Sequence, residues 1–309
     1  MKLYNIQNNK LNIISGNPFK LEKEIQDLIE GNVTSIFDLE FVKSELRIQN
    51  FRFDTLCFDK SNNSFVVIEY KKGNSYSVID QGYSYLSTLL NNKSDFVLEY
   101  NESLGKSLKR DQIDWSQSRV IFISPTFSRY QKTSVNFKNL PFELWEITRY
   151  GNDVLALNQL ITDSDIDINS TLGDDTKSSL VKDVSKQVNR YDEEYHLTKS
   201  KKRPKEVIAL YHNLKARILE IDENIDLKIG KQTIGFSQNI IFSEVIIYDK
   251  GLGIVINLKK GELNDDMLKT EDLSTKKHWG RGEYSIWIKS IEELDYVMTL
   301  VKQSFLKQS

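Results

Sequence analysis

One cysteine in 309 residues, Cys57, leaves no disulfide framework and no multi-cysteine zinc site. Three histidines, His196, His212 and His278, are too scattered in sequence for a His-rich metal centre. With 4 prolines and 14 glycines, collagen-like and low-complexity chains are excluded and long linkers disfavoured. No apolar run approaches the roughly 18 residues of a membrane-spanning helix. The opening MKLYNIQNNK lacks the apolar core of a signal peptide. A cytoplasmic protein with no membrane partner is the default expectation. Charge of one sign is also lacking: 42 Lys and Arg meet 44 Asp and Glu, for a formal net charge of -2. A global basic field is therefore absent, and any nucleic-acid contact must come from a local patch. What is present is an ordinary globular composition, 39% hydrophobic and 28% charged. The length suits about two domains.

Residues 1–16 read as two short strands, carrying Leu3, Tyr4, Ile6 and then Leu11, Ile13, Ile14. Asn17-Pro18 is the expected start of a helix, with Phe19, Leu21, Ile25, Leu28 and Ile29 on one face and a C-cap at Gly31-Asn32. Two apolar runs, FRFDTLCF at 51–58 and FVVIEY at 65–70, flank the polar DKSNNS and predict a hairpin. A helix is predicted over about 78–91, with Ile79, Tyr83, Leu86 and Leu90 on one side. Strands are predicted at 119–124 and around 142–147, after a polar stretch at 101–118. This order implies a mixed sheet with helices packed on it.

Residues 162–204 are polar and poor in large apolar side chains, and read as a connector with a helix near 176–190. Beyond Pro204 come a helix carrying Val207, Leu210, Leu214, Ile218 and Ile221, strands near 232–236, 240–248 and 252–259, the segment HWGRGEYSIWI, and a last helix at about 290–307. The expected domains are residues 1–162, a polar linker at 163–204, and a smaller α+β domain at 205–309.

The chemistry concentrates in Asp54, Glu69 and Lys71. Glu69 and Lys71 are two apart on a strand and so share a face. If the hairpin closes with Phe58 opposite Phe65, Asp54 falls directly across from Glu69, with Cβ atoms about 5 Å apart. Two facing carboxylates repel, unless one is protonated or a cation bridges them. Mg²⁺ suits such oxygen ligands, and a lysine beside them can orient a water or stabilise charge on a phosphorane. Together these are parts for phosphodiester hydrolysis. The alternative is a solvated cross-strand charge cluster. Against that, Phe65–Ile68 is continuously apolar, as in a strand covered on both faces. Cys57 falls on the face opposite Asp54 and reads as a core thiol.

The pattern Arg52-Phe53-Asp54, a turn, then Glu69-Tyr70-Lys71 resembles the PD-(D/E)xK nuclease superfamily, without the proline of its first motif. Glu24 on the preceding helix, and Gln81 and Tyr85 on the following one, extend the likeness. The ordered set is similar to RecB-like nucleases and to single-strand-branch endonucleases with a tRNA-endonuclease-like catalytic domain. EKEIQDLIEGN, RFDTLCFD, VVIEYKK and HWGRGEYSIWI resemble a two-domain bacterial and archaeal family. Its C-terminal part is catalogued as domain of unknown function 5655, with a loose label of transport protein that no segment here supports.

The resemblance implies a restriction-endonuclease-like αβββαβ core with a mixed central sheet, plus the smaller α+β domain. It implies Mg²⁺ or Mn²⁺ as cofactor, bound by Asp54 and Glu69 with Glu24 as a further ligand and the Val67–Ile68 backbone as a carbonyl donor. Lys71 would position the attacking water. Gln81 and Tyr85 would orient the scissile phosphate or the lysine. Glu30 and Glu45 compete with Glu24 for the extra acid. The partner would be DNA or RNA, and a homodimer is allowed, because related nucleases pair.

Outside this set, Arg52, Lys72, Lys106, Lys109 and Arg110 are candidate phosphate contacts, with a plain solvated loop as the alternative for 105–114. The basic run Lys199, Lys201, Lys202, Arg203 reads as solvated linker or backbone contact. Two other functions compete with a nuclease: a catalytically inactive, nuclease-like module that binds nucleic acid or protein, and an interaction component of a defence or toxin system.

Overall fold

The computed structural model describes residues 2–72, 77–137, 140–160, 176–238, 240–276 and 278–308, with the side chains of 176–178 outside that description. The chain divides into two compact units. The first comprises Met1–Val33, Glu40–Asp59 and Asn63–Asn189; the second comprises Thr34–Leu39, Lys60–Asn62 and Arg190–Ser309.

The first unit opens with a hairpin, β1 (Leu3–Gln7) and β2 (Lys10–Ile14). Helix α1 (Glu22–Glu30) follows, and α2 (Val33–Phe37) begins at its edge. Then come β3 (Glu40–Ile48), β4 (Phe51–Asp59) and β5 (Ser64–Tyr70). Helices α3 (Val78–Asn91) and α4 (Lys93–Leu104) lead to β6 (Arg119–Ser124). Helix α5 (Arg129–Ser134), strands β7 (Phe142–Tyr150) and β8 (Val154–Leu160), and α6 (Thr176–Ser185) complete it. The six-stranded sheet runs β3-β4-β5-β6-β7-β8. Its pairs are antiparallel through β5, parallel from β5 to β7, and antiparallel again at β8. This is the mixed α/β sheet expected from the element order.

β5 is buried along its whole length. On one face, Phe53, Leu56, Phe65, Val67 and Phe122 pack with Tyr85, Leu86, Leu89 and Phe96 of α3 and α4. On the other, Cys57, Val66, Ile68, Ile121 and Ile123 are buried, as are Ile25 and Ile29 of α1. Burial pushes the Cys57 thiol well above its ordinary pKa, so it is an inert core side chain. Helix α3 starts where the sequence reading put it, because the Ser77 hydroxyl accepts the Asp80 N–H at 3.3 Å as an N-cap.

Several elements differ from the sequence reading, β3 and β8 among them, for which no strand is predicted. Helix α1 begins at Glu22 rather than at Pro18, because the Asn17 side chain donates to the Gly151 carbonyl at 3.1 Å and its N–H to the Arg149 carbonyl at 2.7 Å. Both contacts hold residues 17–18 extended against β7. Helix α4 occupies part of the stretch expected to be polar. The expected linker at 163–204 contributes to the first core: Val181 and Val184 of α6, and Val188, are buried in it. Of that linker, residues 163–175 lie outside the described residues.

The second unit holds α7 (Glu193–Thr198), α8 (Lys205–Leu219), β9 (Asp226–Ile229), β10 (Ile234–Ser237), β11 (Ile241–Tyr248), β12 (Gly251–Ile256), β13 (Glu271–Asp272), β14 (Tyr284–Ile288) and α9 (Leu294–Gln308). Its separate antiparallel sheet runs β13-β14-β12-β11-β10-β9. Leu210, Leu214 and Ile218 of α8 share its core with Phe236, Phe242, Ile254, Val297 and Val301. Among the described residues no helix is long and apolar enough to cross a membrane.

Candidate functional site

The β4–β5 hairpin closes in the expected register, with Phe58 opposite Phe65 and Thr55 opposite Ile68. One step further along the same register, Asp54 comes level with Glu69. The ladder itself ends before that pair, and a side-chain contact replaces it: Asp54 Oδ2 accepts the Tyr70 N–H at 3.1 Å. The lysine is fixed from the other side. Lys71 N–H donates to the Ile123 carbonyl at 2.8 Å, extending the parallel pairing of β5 with β6 past the end of the strand.

Glu69 is buried, and its two oxygens differ. Oε1 accepts from Lys71 Nζ at 2.8 Å and from Gln81 Nε2 at 2.7 Å. Oε2 is buried and has no hydrogen-bond partner among the described residues, and the same holds for Gln81 Oε1. Gln81 Nε2 also donates to the Tyr85 hydroxyl at 2.8 Å, and that hydroxyl donates to the Arg52 carbonyl at 3.2 Å. Gln81 and Tyr85 are four apart on α3 and present one face to β4 and β5. Burial holds the Tyr85 phenol above its ordinary range, so it stays a neutral donor.

Burial, and next the Glu69 carboxylate, push the Asp54 carboxyl up to about 7, against the pull of the Tyr70 N–H and the Lys71 ammonium. Glu45 adds a smaller push in the same direction. The Arg52 guanidinium lies between two acids, 2.9 Å from Glu45 and 4.0 Å from Asp54. It therefore partners the acidic cluster while its side chain stays 57% exposed.

The remaining sequence candidates are distributed as follows. Glu24 does not join the pair: it accepts the Lys20 N–H at 3.3 Å and faces Arg149 at 3.6 Å. Glu30 accepts the Thr55 hydroxyl at 2.6 Å, and that hydroxyl lies 3.1 Å from the Tyr70 hydroxyl, on the face opposite Asp54. Val67 and Ile68 are paired on both sides of β5, so their carbonyls belong to the sheet ladders and not to a ligand. Lys72 Nζ donates to the Lys20 carbonyl, and its N–H donates to Glu22 at 2.6 Å.

Lys109 and Arg110 lie at the wrong end of the sheet. Asp114 N–H donates to the Asn63 carbonyl at 2.8 Å, and the Trp115 ring packs on Phe65 at 5.6 Å. Their loop therefore stands at the start of β5, while Glu69 stands near its finish, roughly 17 Å away at the rise of a strand. Lys106 is held by Glu40 at 2.7 Å. In the second unit, Arg203 of the basic run donates to the Ile247 carbonyl at 2.9 Å and is a structural residue.

Sequence reasoning missed Gln26. Its amide donates to the Asp54 carbonyl at 3.0 Å, to Ser44 Oγ at 3.1 Å and to Glu30 at 2.9 Å. A buried glutamine two residues beyond Glu24 gives no periodic signal, because it sits among the apolar positions of α1.

Among the described residues no group of three or more His, Cys, Asp or Glu side chains is gathered for a metal ion. The donors that do converge are two carboxylates, Asp54 and Glu69. One buried oxygen of this pair is unpartnered among the described residues, and the Asp54 proton affinity is raised by burial and then by its like-charged neighbour. That set fits Mg²⁺ or Mn²⁺, which binds through one or two carboxylates and completes its shell with water and substrate oxygens.

Comparison with known proteins gives four matches. Residues 193–308 match the family described as domain of unknown function DUF5655. A crystal structure of a repair endonuclease from Pyrococcus abyssi is similar to this chain at 19% identity and a TM-score of 0.25, covering 43% of this chain and 49% of that one. A structure of an EndoMS–dsDNA2 complex is similar at 22% identity and a TM-score of 0.24, covering 42% and 47%. The chain thus spans about half the length of these endonucleases. An uncharacterized protein of Haemophilus influenzae is 39% identical over 304 residues, 98% of this chain and 99% of that protein. The chain belongs to one family with that Haemophilus influenzae protein.

Proposed function

We propose that the first unit is a divalent-cation-dependent phosphodiesterase acting on nucleic acid, and that the second is an accessory binding domain. The observation that carries this reading is the convergence of Asp54, Glu69 and Lys71 at one end of β5, with Lys71 Nζ 2.8 Å from one Glu69 oxygen and the other oxygen buried and unpartnered among the described residues. The likeness of the ordered Arg52–Asp54, Glu69–Lys71, Gln81–Tyr85 set to PD-(D/E)xK nucleases supports it.

In this reading Asp54 and Glu69 hold Mg²⁺ or Mn²⁺, which when bound supplies Lewis-acid polarisation of a phosphoryl oxygen and a more acidic water. Glu24 is engaged by Arg149 and is left out of the ligand set. Lys71, beside Glu69, orients the attacking water and faces the charge that develops on the phosphorane. The water oxygen bonds to phosphorus, the ester oxygen leaves with the bonding pair, and it takes a proton while the water gives one up. Gln81 fixes the rotamer of Glu69, and Tyr85 fixes Gln81. Both are positioning residues.

A second reading keeps the scaffold without the chemistry. It draws on the two-carboxylate set and on the raised Asp54 proton affinity, which lets the pair persist with one acid neutral. One experiment separates the two. Purified protein is incubated with single- and double-stranded DNA and RNA, with and without Mn²⁺ or Mg²⁺. The proposal expects cation-dependent cleavage that disappears in Asp54→Ala and Lys71→Ala. Cleavage that persists in both variants rejects the site, and nucleic-acid binding with no cation binding supports the inactive module.

A further inference from the structure

The β1–β2 hairpin turns an apolar face to solvent. Asn8 and Asn9 close it with φ of 51° and 59°, both left-handed, in a two-residue turn whose twist suits paired strands. The ladder sets Tyr4 opposite Ile13 and Ile6 opposite Leu11. By the two-residue period these four share one face, while Asn5, Gln7, Lys10 and Asn12 share the other with the half-buried Leu3 and Ile14 at its root. Tyr4 is 47% exposed, Ile6 71%, Leu11 65% and Ile13 60%. From Tyr4 to Gln7 and from Lys10 to Ile13 the strands carry the alternation of a sheet with one buried face, although among the described residues nothing buries that face. The root of the hairpin is tied down. Gly16 bridges Tyr150, and Gly151 N–H donates to the Ser15 carbonyl at 2.9 Å. A two-stranded hairpin standing alone is marginal in water.

We propose that this face is an interface for a second copy of this chain, with the two hairpins packed apolar face to apolar face about a two-fold axis. Three observations select that occupant. The four side chains carry no charge, so the face offers no complement to phosphate or to a charged peptide. An uncharged face is complementary to its own copy, as a two-fold interface requires. The exposed area of the four amounts to roughly 500 Å² per copy, the size of the largest patch on a typical monomer, and to about 1,000 Å² for the pair when all of it is buried, the least that a biological interface should clear. The chain's net charge of -2 lets two copies approach without strong repulsion. Lys10, on the other face, stays in water. The inference rests on no part of the phosphodiesterase reading.

The test is the oligomeric state of the full chain, by sedimentation velocity and light scattering over a range of concentrations. The expected result is a dimer that becomes a monomer in the pair Ile6→Glu and Leu11→Glu. Far-UV dichroism and unfolding temperature should match those of the control pair, because each pair sets the same two like charges opposite each other, on one face or the other. The control pair Asn5→Glu and Asn12→Glu, on the polar face, should remain dimeric. A wild type that is monomeric at every concentration overturns the proposal, including one that instead pellets with phosphatidylcholine vesicles. So does a dimer that survives both pairs, or one that both pairs dissociate equally.

Discussion

The Asp54 carboxylate takes its hydrogen bond from the backbone N–H of Tyr70, the residue that follows Glu69, and this one contact locks the two acids onto a single strand pair. The cost of that closeness appears in the protonation of Asp54, which burial and Glu69 push up to about 7.

Stability should therefore fall with rising pH on account of Asp54. An unfolded Asp titrates near 4. The folded state binds the proton more tightly, so the stabilising contribution is complete below about pH 4 and is lost as the pH rises through about 7. Asn in place of Asp54 keeps an oxygen for the Tyr70 N–H and removes the charge. Asp54→Asn is expected to be more stable than wild type at pH 8 by about 1–4 kcal/mol, with the gain shrinking towards pH 5. Thermal unfolding of the two proteins across that range, without divalent ions, checks this; parallel pH profiles would refute it.

Gln81 and Tyr85 should separate in their effects. Gln81→Leu removes a donor from Glu69 Oε1, so cation affinity, followed by titration, should weaken about 10–100-fold. Tyr85→Phe removes only the hydroxyl that braces Gln81 and donates to the Arg52 carbonyl. Its effect on cation affinity should stay below about 10-fold, with about 1 kcal/mol of stability lost. Equal effects of the two substitutions on cation affinity would place the bracing elsewhere.

Gly82 should resist a substitution that helices usually favour. A Cβ there would come within 2.5 Å of the Phe142 ring, which is buried against α3. Gly82→Ala should therefore cost about 1–3 kcal/mol despite the better helix propensity of alanine. Phe142→Leu in the same chain should recover part of that loss, as a double-mutant cycle of denaturant midpoints would reveal.

Much of the fold could be read from local pattern. The β4–β5 register followed from two apolar runs around a polar turn, and it brought Asp54 level with Glu69. The bounds of α3 and β6 followed from periodicity and a cap. Strand β3 was not legible, because a register shift between Phe41 and Lys43 and a positive φ at Glu45 break its alternation. Helix α4 buries only Phe96 and Tyr100, too few apolar positions to mark a face. The errors in the site have one cause: contacts distant in sequence. Nothing near Glu24 announces Arg149. Nor does the basic loop at 105–114 announce that β6 will run parallel to β5, which sends the residues just before β6 to the far end of the sheet.

Synthesis begins at the amino end, and the anchor of Lys71 is the Ile123 carbonyl on β6. The residues that join Asp54 to Tyr70 are all present once Tyr70 has emerged, whereas the carbonyl that takes the Lys71 N–H lies on a strand made later. Pairing so distant in sequence is slow to form. A nascent chain thus carries both acids and the lysine before it carries the strand that fixes the Lys71 backbone.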